Sequence, residues 1–124
     1  MTGLAALVID DDPGMVSVYA DVFKYAGVMP VIVASTTEGL EKLAQKSYDL
    51  VITDLIQKPS GIDVYKLAVE KGIKHVYIIT GGGEIEIVDA AVRIAGQNIL
   101  FKPVSISSFL RIIKEAEPMQ RPQS

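Results

Sequence analysis

Five short apolar runs punctuate the chain, at residues 4–9, 31–34, 50–53, 76–79 and 99–101, and a stretch with helical spacing follows each one. Continuous apolarity over so few residues is expected of a strand covered on both faces. Strands that alternate with helices imply right-handed βαβ units and therefore a parallel sheet. At 124 residues the chain has the size of a single α/β domain with a sizeable core.

Start and stop signals place the helices. Asp12 before Pro13 reads as an N-cap followed by proline at the first helical position. Met15, Tyr19, Val22, Phe23 and Ala26 then fall at helical spacing, and Gly27 is the stop. Ser35 and Glu38 form a capping box ahead of Leu40, Leu43 and Ala44. After a loop-like stretch at 57–61, a helix is expected over about 62–71, with Tyr65, Leu67, Ala68 and Val69 as apolar candidates. Three glycines at 81–83 precede a helix over about 84–95, with Ile85, Val88, Val92 and Ala95 on one face. The last helix, over about 105–117, is expected to turn Ile106, Phe109, Leu110 and Ile113 inward before Pro118 stops it. Residues 1–118 form the domain in this reading, and 119–124 a flexible polar tail.

Composition narrows the functional classes. Hydrophobic residues make up 49% and charged residues 22%, an ordinary globular balance. A net charge of −3 argues against nucleic-acid binding driven by phosphate neutralisation. The absence of cysteine excludes thiol chemistry, disulfides and thiolate metal sites. The first apolar run is too short for a signal-peptide core, and no segment approaches the ~20 apolar residues that span a bilayer. The expectation is a soluble cytoplasmic domain with no direct nucleic-acid or membrane contact.

In an open parallel sheet, ligands bind outside the carboxyl ends of the strands. Those ends carry Asp10 and Asp11 after the first run, Asp54 after the third, Thr80 after the fourth and Lys102 after the fifth. Three carboxylates, a hydroxyl and an ammonium are thus expected at one edge. Carboxylates this close raise one another's cost of ionisation unless a cation compensates them. Hard oxygen ligands suit Mg²⁺, which takes one or two carboxylates, keeps waters and shares phosphate oxygens. Thr80 and Lys102 suit phosphoryl oxygens, and a carboxylate beside a metal can act as nucleophile to form an acyl phosphate. Asp12 reads instead as a helix cap, and Asp63 and Glu84 as charges favoured at helix N-termini. Tyr19, Phe23 and Phe109 read as packing residues, and His75 is assigned no role.

Four motifs together resemble the receiver domains of two-component response regulators: Val8-Ile9-Asp10-Asp11-Asp12, Asp49-Leu50-Val51-Ile52-Thr53-Asp54, Ile79-Thr80-Gly81 and Phe101-Lys102-Pro103. Their order and spacing cover about residues 4–117. The resemblance implies a flavodoxin-like, doubly wound (βα)5 fold with strand order 2-1-3-4-5. It implies that Asp54 is the phosphoacceptor, supplied by a sensor histidine kinase or a phosphotransfer protein. Mg²⁺ would be held by Asp11 and Asp54, by Asp10 through a metal-bound water, and by the backbone carbonyl of Ile56. Lys102 would pair with Asp54 and then with the phosphoryl group, toward which Thr80 would swing. The fourth helix, fifth strand and fifth helix would then present a changed face to a downstream protein or to an output domain absent from this chain.

Two positions depart from the family's pattern. Ile99 stands three residues before Lys102, where an aromatic residue is usual, and Pro59 and Gly61 lie five and seven residues after Asp54 rather than four and eight. These departures motivate an alternative, a pseudo-receiver that serves as an interaction module without phosphorylation. A further alternative uses Asp10 and Asp12 as the Asp-x-Asp of an aspartate-nucleophile phosphatase of the haloacid dehalogenase type. Gly14 stands where that family prefers Thr or Val, and no late acidic pair follows Lys102.

Overall fold

The computed structural model describes residues 3–118, so the tail expected at 119–124 lies outside the described residues. Strands β1 (Ala6–Ile9), β2 (Val31–Val33), β3 (Leu50–Asp54), β4 (His75–Thr80) and β5 (Ile99–Phe101) alternate with five helices. These are α1 (Pro13–Tyr25), α2 (Thr36–Gln45), α3 (Gly61–Glu70), α4 (Ile85–Ala95) and α5 (Ile106–Ala116). All strand pairs are parallel, in the order β2-β1-β3-β4-β5. This is the doubly wound, flavodoxin-like sheet that the resemblance implies. The order in which strands are added to the sheet reverses between β1 and β3, which makes the carboxyl ends of those neighbours the natural place for a site.

Alternation of side chains along each strand divides the core into two layers. Val8, Leu50, Ile52 and Ile79 face α1 and α5, where they meet Tyr19, Val22, Phe23, Phe109, Ile112 and Ile113. Tyr19 and Phe109 stack edge to face with ring centroids 5.4 Å apart, a geometry worth about 0.5–1.5 kcal/mol beyond area burial. Leu7, Ile9, Val51 and Val76 face the other way, against Leu43 of α2 and Val64 and Ala68 of α3. Ile78 and Leu55 extend that layer under Ala91 and Ala95 of α4.

The inward faces of α4 and α5 differ from those expected. α4 packs Ile87, Val88, Ala91 and Ala95 inward and leaves Ile85 and Val92 exposed. α5 buries Phe109, Ile112, Ile113 and Ala116, while Ile106 is exposed. Val69 in α3 is likewise exposed, with Val64 and Ala68 buried in its place. Each of these helices is apolar around more than one face, so periodicity admits two rotational phases and the surface beneath selects between them.

Side chains cap four of the helices. Asp12, Ser35, Ser60 and Ser105 each accept a backbone N–H from the first turn of the helix they precede. α4 is the exception, because Glu84 makes no such bond. It is entered instead through Gly82 and Gly83, at φ 121° and 136°, backbone that side-chain-bearing residues rarely adopt.

Candidate functional site

The β1 ladder extends one residue past the strand, where the Asp10 N–H donates to Val33 O at 3.0 Å. This turns the Asp10 side chain into the protein, and the residue is completely buried. Its carboxylate is held on both oxygens. Oδ1 accepts the Asp12 N–H at 3.0 Å, and Oδ2 accepts the Tyr19 hydroxyl at 3.4 Å. Lys102 Nζ lies 3.8 Å from the same Oδ2. Asp12 caps α1 through Gly14 N–H at 2.9 Å, as the sequence suggested. Asp11 is exposed between them.

Asp54 ends β3, paired with Ile79 of β4, and is 9% exposed. One carboxylate oxygen each from Asp10, Asp11 and Asp54 lie within 4.8 Å of one another. The following loop folds tightly back on the strand. Gly61 N–H donates to Leu55 O at 3.0 Å, and a β-carbon at position 61 would overlap the Asp54 carbonyl oxygen. Glycine is required there by this close approach of backbone to backbone.

The electrostatics of the cluster are unfavourable without a cation. Burial pushes the Asp10 carboxyl above its ordinary range; the Asp12 amide and Lys102 oppose that rise, and Asp12 and Asp11 add to it. Burial, then the Asp10 charge, push Asp54 up as well, against the pull of Lys102 and of a hydrogen bond from the Gln57 side chain. A bound cation reverses this balance by favouring every ionised form. The donor set consists of hard oxygens only, the chemistry of a Mg²⁺ or Ca²⁺ site. The cluster can therefore hold a divalent metal: Asp11 and Asp54 offer accessible oxygens, and Asp10 stands behind them with both of its own engaged.

Thr80 and Lys102 reach the same edge from β4 and the end of β5, joined by the Lys102 N–H to Thr80 O bond at 2.8 Å. The Thr80 side chain is turned into its own loop. Its Oγ1 donates to Gly82 O at 2.6 Å and accepts Gly82 N–H at 3.1 Å. The Lys102 ammonium is nearest to Asp10, where the resemblance implied Asp54. Ile56, two residues after Asp54, is half exposed, and its side chain lies over Gly83.

Two site residues were not found from the sequence. Gln57 was read as part of a loop and Tyr19 as packing, yet the first ties the loop after Asp54 to Ala34 O and the Thr36 N–H, and the second donates to Asp10. For Tyr19 a signal existed, since a buried phenol requires a hydrogen-bond partner. Gln57 carried none, because its role depends on the fold of a loop.

Comparison with known proteins gives a consistent picture. Residues 6–114 match the family model of the response regulator receiver domain. The chain is 28% identical over 122 residues to an NtrX-like response regulator sequence of Rickettsia bellii (strain RML369-C), covering 94% of this chain and 25% of that protein. It is 30% identical over 119 residues to the transcriptional regulatory protein GlrR of Escherichia coli (strain K12), covering 94% and 27%. The chain thus spans about a quarter of the length of these relatives. Among solved structures, a response regulator receiver domain protein from Clostridium thermocellum superposes with a TM-score of 0.76 at 28% identity, over 91% of this chain and 93% of that one. Another from Methanospirillum hungatei JF-1 gives 0.77 at 23% identity, over 90% and 91%, and supports the fold alone.

Proposed function

Because the chain belongs to the response regulator receiver domain family, we propose that it accepts a phosphoryl group on Asp54 from a sensor histidine kinase or phosphotransfer protein, with Mg²⁺ in the acidic cluster. The observation that carries this reading is the convergence of Asp10, Asp11 and Asp54 beside Lys102 at one sheet edge. Asp11 and Asp54 would hold the metal directly, Asp10 would assist, and the Ile56 carbonyl would complete the set. When bound, Mg²⁺ supplies positive charge to the phosphoryl oxygens during transfer through a loose transition state.

An Asp54 carboxylate oxygen forms the new P–O bond as the P–N bond of the donor phosphohistidine breaks, and the electron pair leaves with the imidazole nitrogen. The acyl phosphate carries a charge of about −1.5 to −2 in place of the single negative charge of the carboxylate, and adds strong acceptor oxygens. Lys102 then has a more negative partner than Asp10, and the Thr80 hydroxyl a better acceptor than Gly82 O. Withdrawal of Thr80 from its loop would release the uncapped entry to α4. The exposed Ile85 and Val92 of α4, Phe101 of β5 and Ile106 of α5 support that face as the docking surface for a downstream protein or output domain.

Asp54 is the better acceptor candidate than Asp10, the nucleophile that a phosphatase would require. Asp10 is fully buried, with both oxygens already engaged. The reading is therefore regulatory rather than that of a turnover enzyme. A cytoplasmic location goes with it, and no helix among the described residues is long and apolar enough to cross a membrane. Addition of beryllofluoride with Mg²⁺ should shift the amide resonances of the β3–α3 and β4–α4 loops in wild type and leave Asp54→Asn unchanged. Identical spectra for wild type with and without these ions would favour the constitutive interaction module.

A further inference from the structure

Tyr19 belongs to the core by its ring and to the acidic cluster by its hydroxyl. It stands in α1, which starts at the site edge of the sheet, and helical side chains lean toward the N-terminus of their helix. The residue is completely buried, with its ring edge to face on Phe109 of α5 at a centroid distance of 5.4 Å. The O–H is thereby placed 3.4 Å from Asp10 Oδ2, to which it donates. Oδ1 of the same carboxylate accepts the Asp12 N–H at 3.0 Å. One bond to each oxygen fixes the plane of a carboxylate, whose last torsion a single bond leaves broad. Lys102 Nζ, 3.8 Å from Oδ2, brings charge to that oxygen from a partly exposed side chain.

We propose that Tyr19 is a positioning residue for the metal site, its hydroxyl orienting the Asp10 carboxylate toward a divalent cation shared with Asp11 and Asp54. The inference rests on the metal-binding part of the proposed function. Tyr19 and Lys102 meet the same carboxylate oxygen, but they act on a cation in opposite directions. Lys102 carries a positive charge that repels the metal ion. The phenol is neutral, so its donation to the carboxylate sets the orientation of Asp10 without that repulsion, and the acceptor's charge strengthens the bond. Groups that orient metal-binding side chains from behind typically contribute about 10–100-fold to metal affinity. At 3.4 Å the Tyr19 bond is long for a hydroxyl donor, which puts its effect at the low end of that range.

The test is titration of the metal-free 124-residue chain with Mg²⁺, followed by NMR at the Asp11 and Leu55 amides, for wild type and three variants. Tyr19→Phe keeps the ring and its stacking on Phe109 and deletes the hydroxyl alone. Its Mg²⁺ dissociation constant should rise about tenfold. Lys102→Met deletes the charged partner of the same oxygen and should lower that constant. Ile112→Val trims a fully buried side chain of the same core layer. It should lower the denaturant midpoint of unfolding and leave the constant at its wild-type value. A role for Tyr19 in packing alone would not give opposite shifts in the first two variants and none in the third. A constant for Tyr19→Phe equal to that of wild type, or lower, would overturn the proposal and leave the metal site standing. An equal rise in Ile112→Val would overturn it too. Wild-type amides that Mg²⁺ does not shift would overturn the metal site and this proposal together.

Discussion

Lys102 Nζ lies 3.8 Å from Asp10 Oδ2, which makes the buried carboxylate of the acidic cluster the lysine's ion-pair partner. The ammonium thus offsets part of the charge that a divalent cation would otherwise neutralise. Lys102→Met should lower the stability of the metal-free protein by about 1–2 kcal/mol, below the usual cost of breaking a fully buried pair because the lysine is partly exposed. The same substitution should tighten Mg²⁺ binding severalfold, since one competing cation is removed. Calorimetric titration checks this, and weaker Mg²⁺ binding in the variant would contradict the assignment.

The raised carboxyls of Asp10 and Asp54 give the metal-free protein a defined pH dependence. The folded state keeps protons that the unfolded chain releases near the ordinary value of 3.8. Their contribution to stability is therefore greatest in acid, declines as pH rises from there through the folded pKa, and stays lost above it. Asp10→Asn removes one of these charges. In chelator at neutral pH its melting temperature should exceed that of wild type by about 3–5 °C, the equivalent of ~1 kcal/mol. The difference between the two proteins should shrink toward acid pH, while Mg²⁺ should stabilise wild type more strongly as pH rises.

Gly61 and Gly39 should respond differently to alanine. At position 61 the added carbon would overlap the Asp54 backbone carbonyl, which cannot move without disturbing β3. At position 39 it would overlap Cδ1 and Cγ1 of Ile9, a buried side chain that can repack where a strand's backbone cannot, and alanine also favours the helix interior. Gly61→Ala should cost about 3 kcal/mol or more, at the upper end of overpacking effects. Gly39→Ala should cost about 1–2 kcal/mol at most. Denaturant unfolding of the two variants measures the contrast.

Thr80 closes the β4–α4 loop by bonding Gly82 through both its N–H and its carbonyl. Thr80→Ala should destabilise the protein by about 1–2 kcal/mol through two lost hydrogen bonds. It should also speed hydrogen exchange at the Gly82 amide, whereas Thr80→Ser should retain protection. Unchanged exchange in Thr80→Ala would show that the loop holds without this tie.

Much of the site was legible because four of its residues lie at the end of a strand or directly after one, and an apolar run marks its own end sharply. Asp10, Asp54, Thr80 and Lys102 were all located in this way. The rotation of the helices was not legible. Ile85, Ile87, Val88, Val92 and Ile94 surround α4, and only contact with Leu55, Ile78 and Ile99 selects the face that is buried. The partners of polar side chains were hidden for a related reason. That Lys102 meets Asp10, that Tyr19 supports Asp10 and that Gln57 spans two loops are contacts across long sequence separations, on which local pattern is silent.

The most direct measurement is intact-mass analysis after incubation with acetyl phosphate and Mg²⁺, for wild type, Asp54→Asn and Asp10→Asn. Wild type should gain the mass of one phosphoryl group, lose that gain in chelator, and release phosphate from an acid-stable, base-labile acyl linkage. Asp54→Asn should gain nothing, and Asp10→Asn should gain more slowly because its metal site is weakened. An equal gain in wild type and Asp54→Asn, or none in any of the three, would contradict Asp54 as the phosphoacceptor.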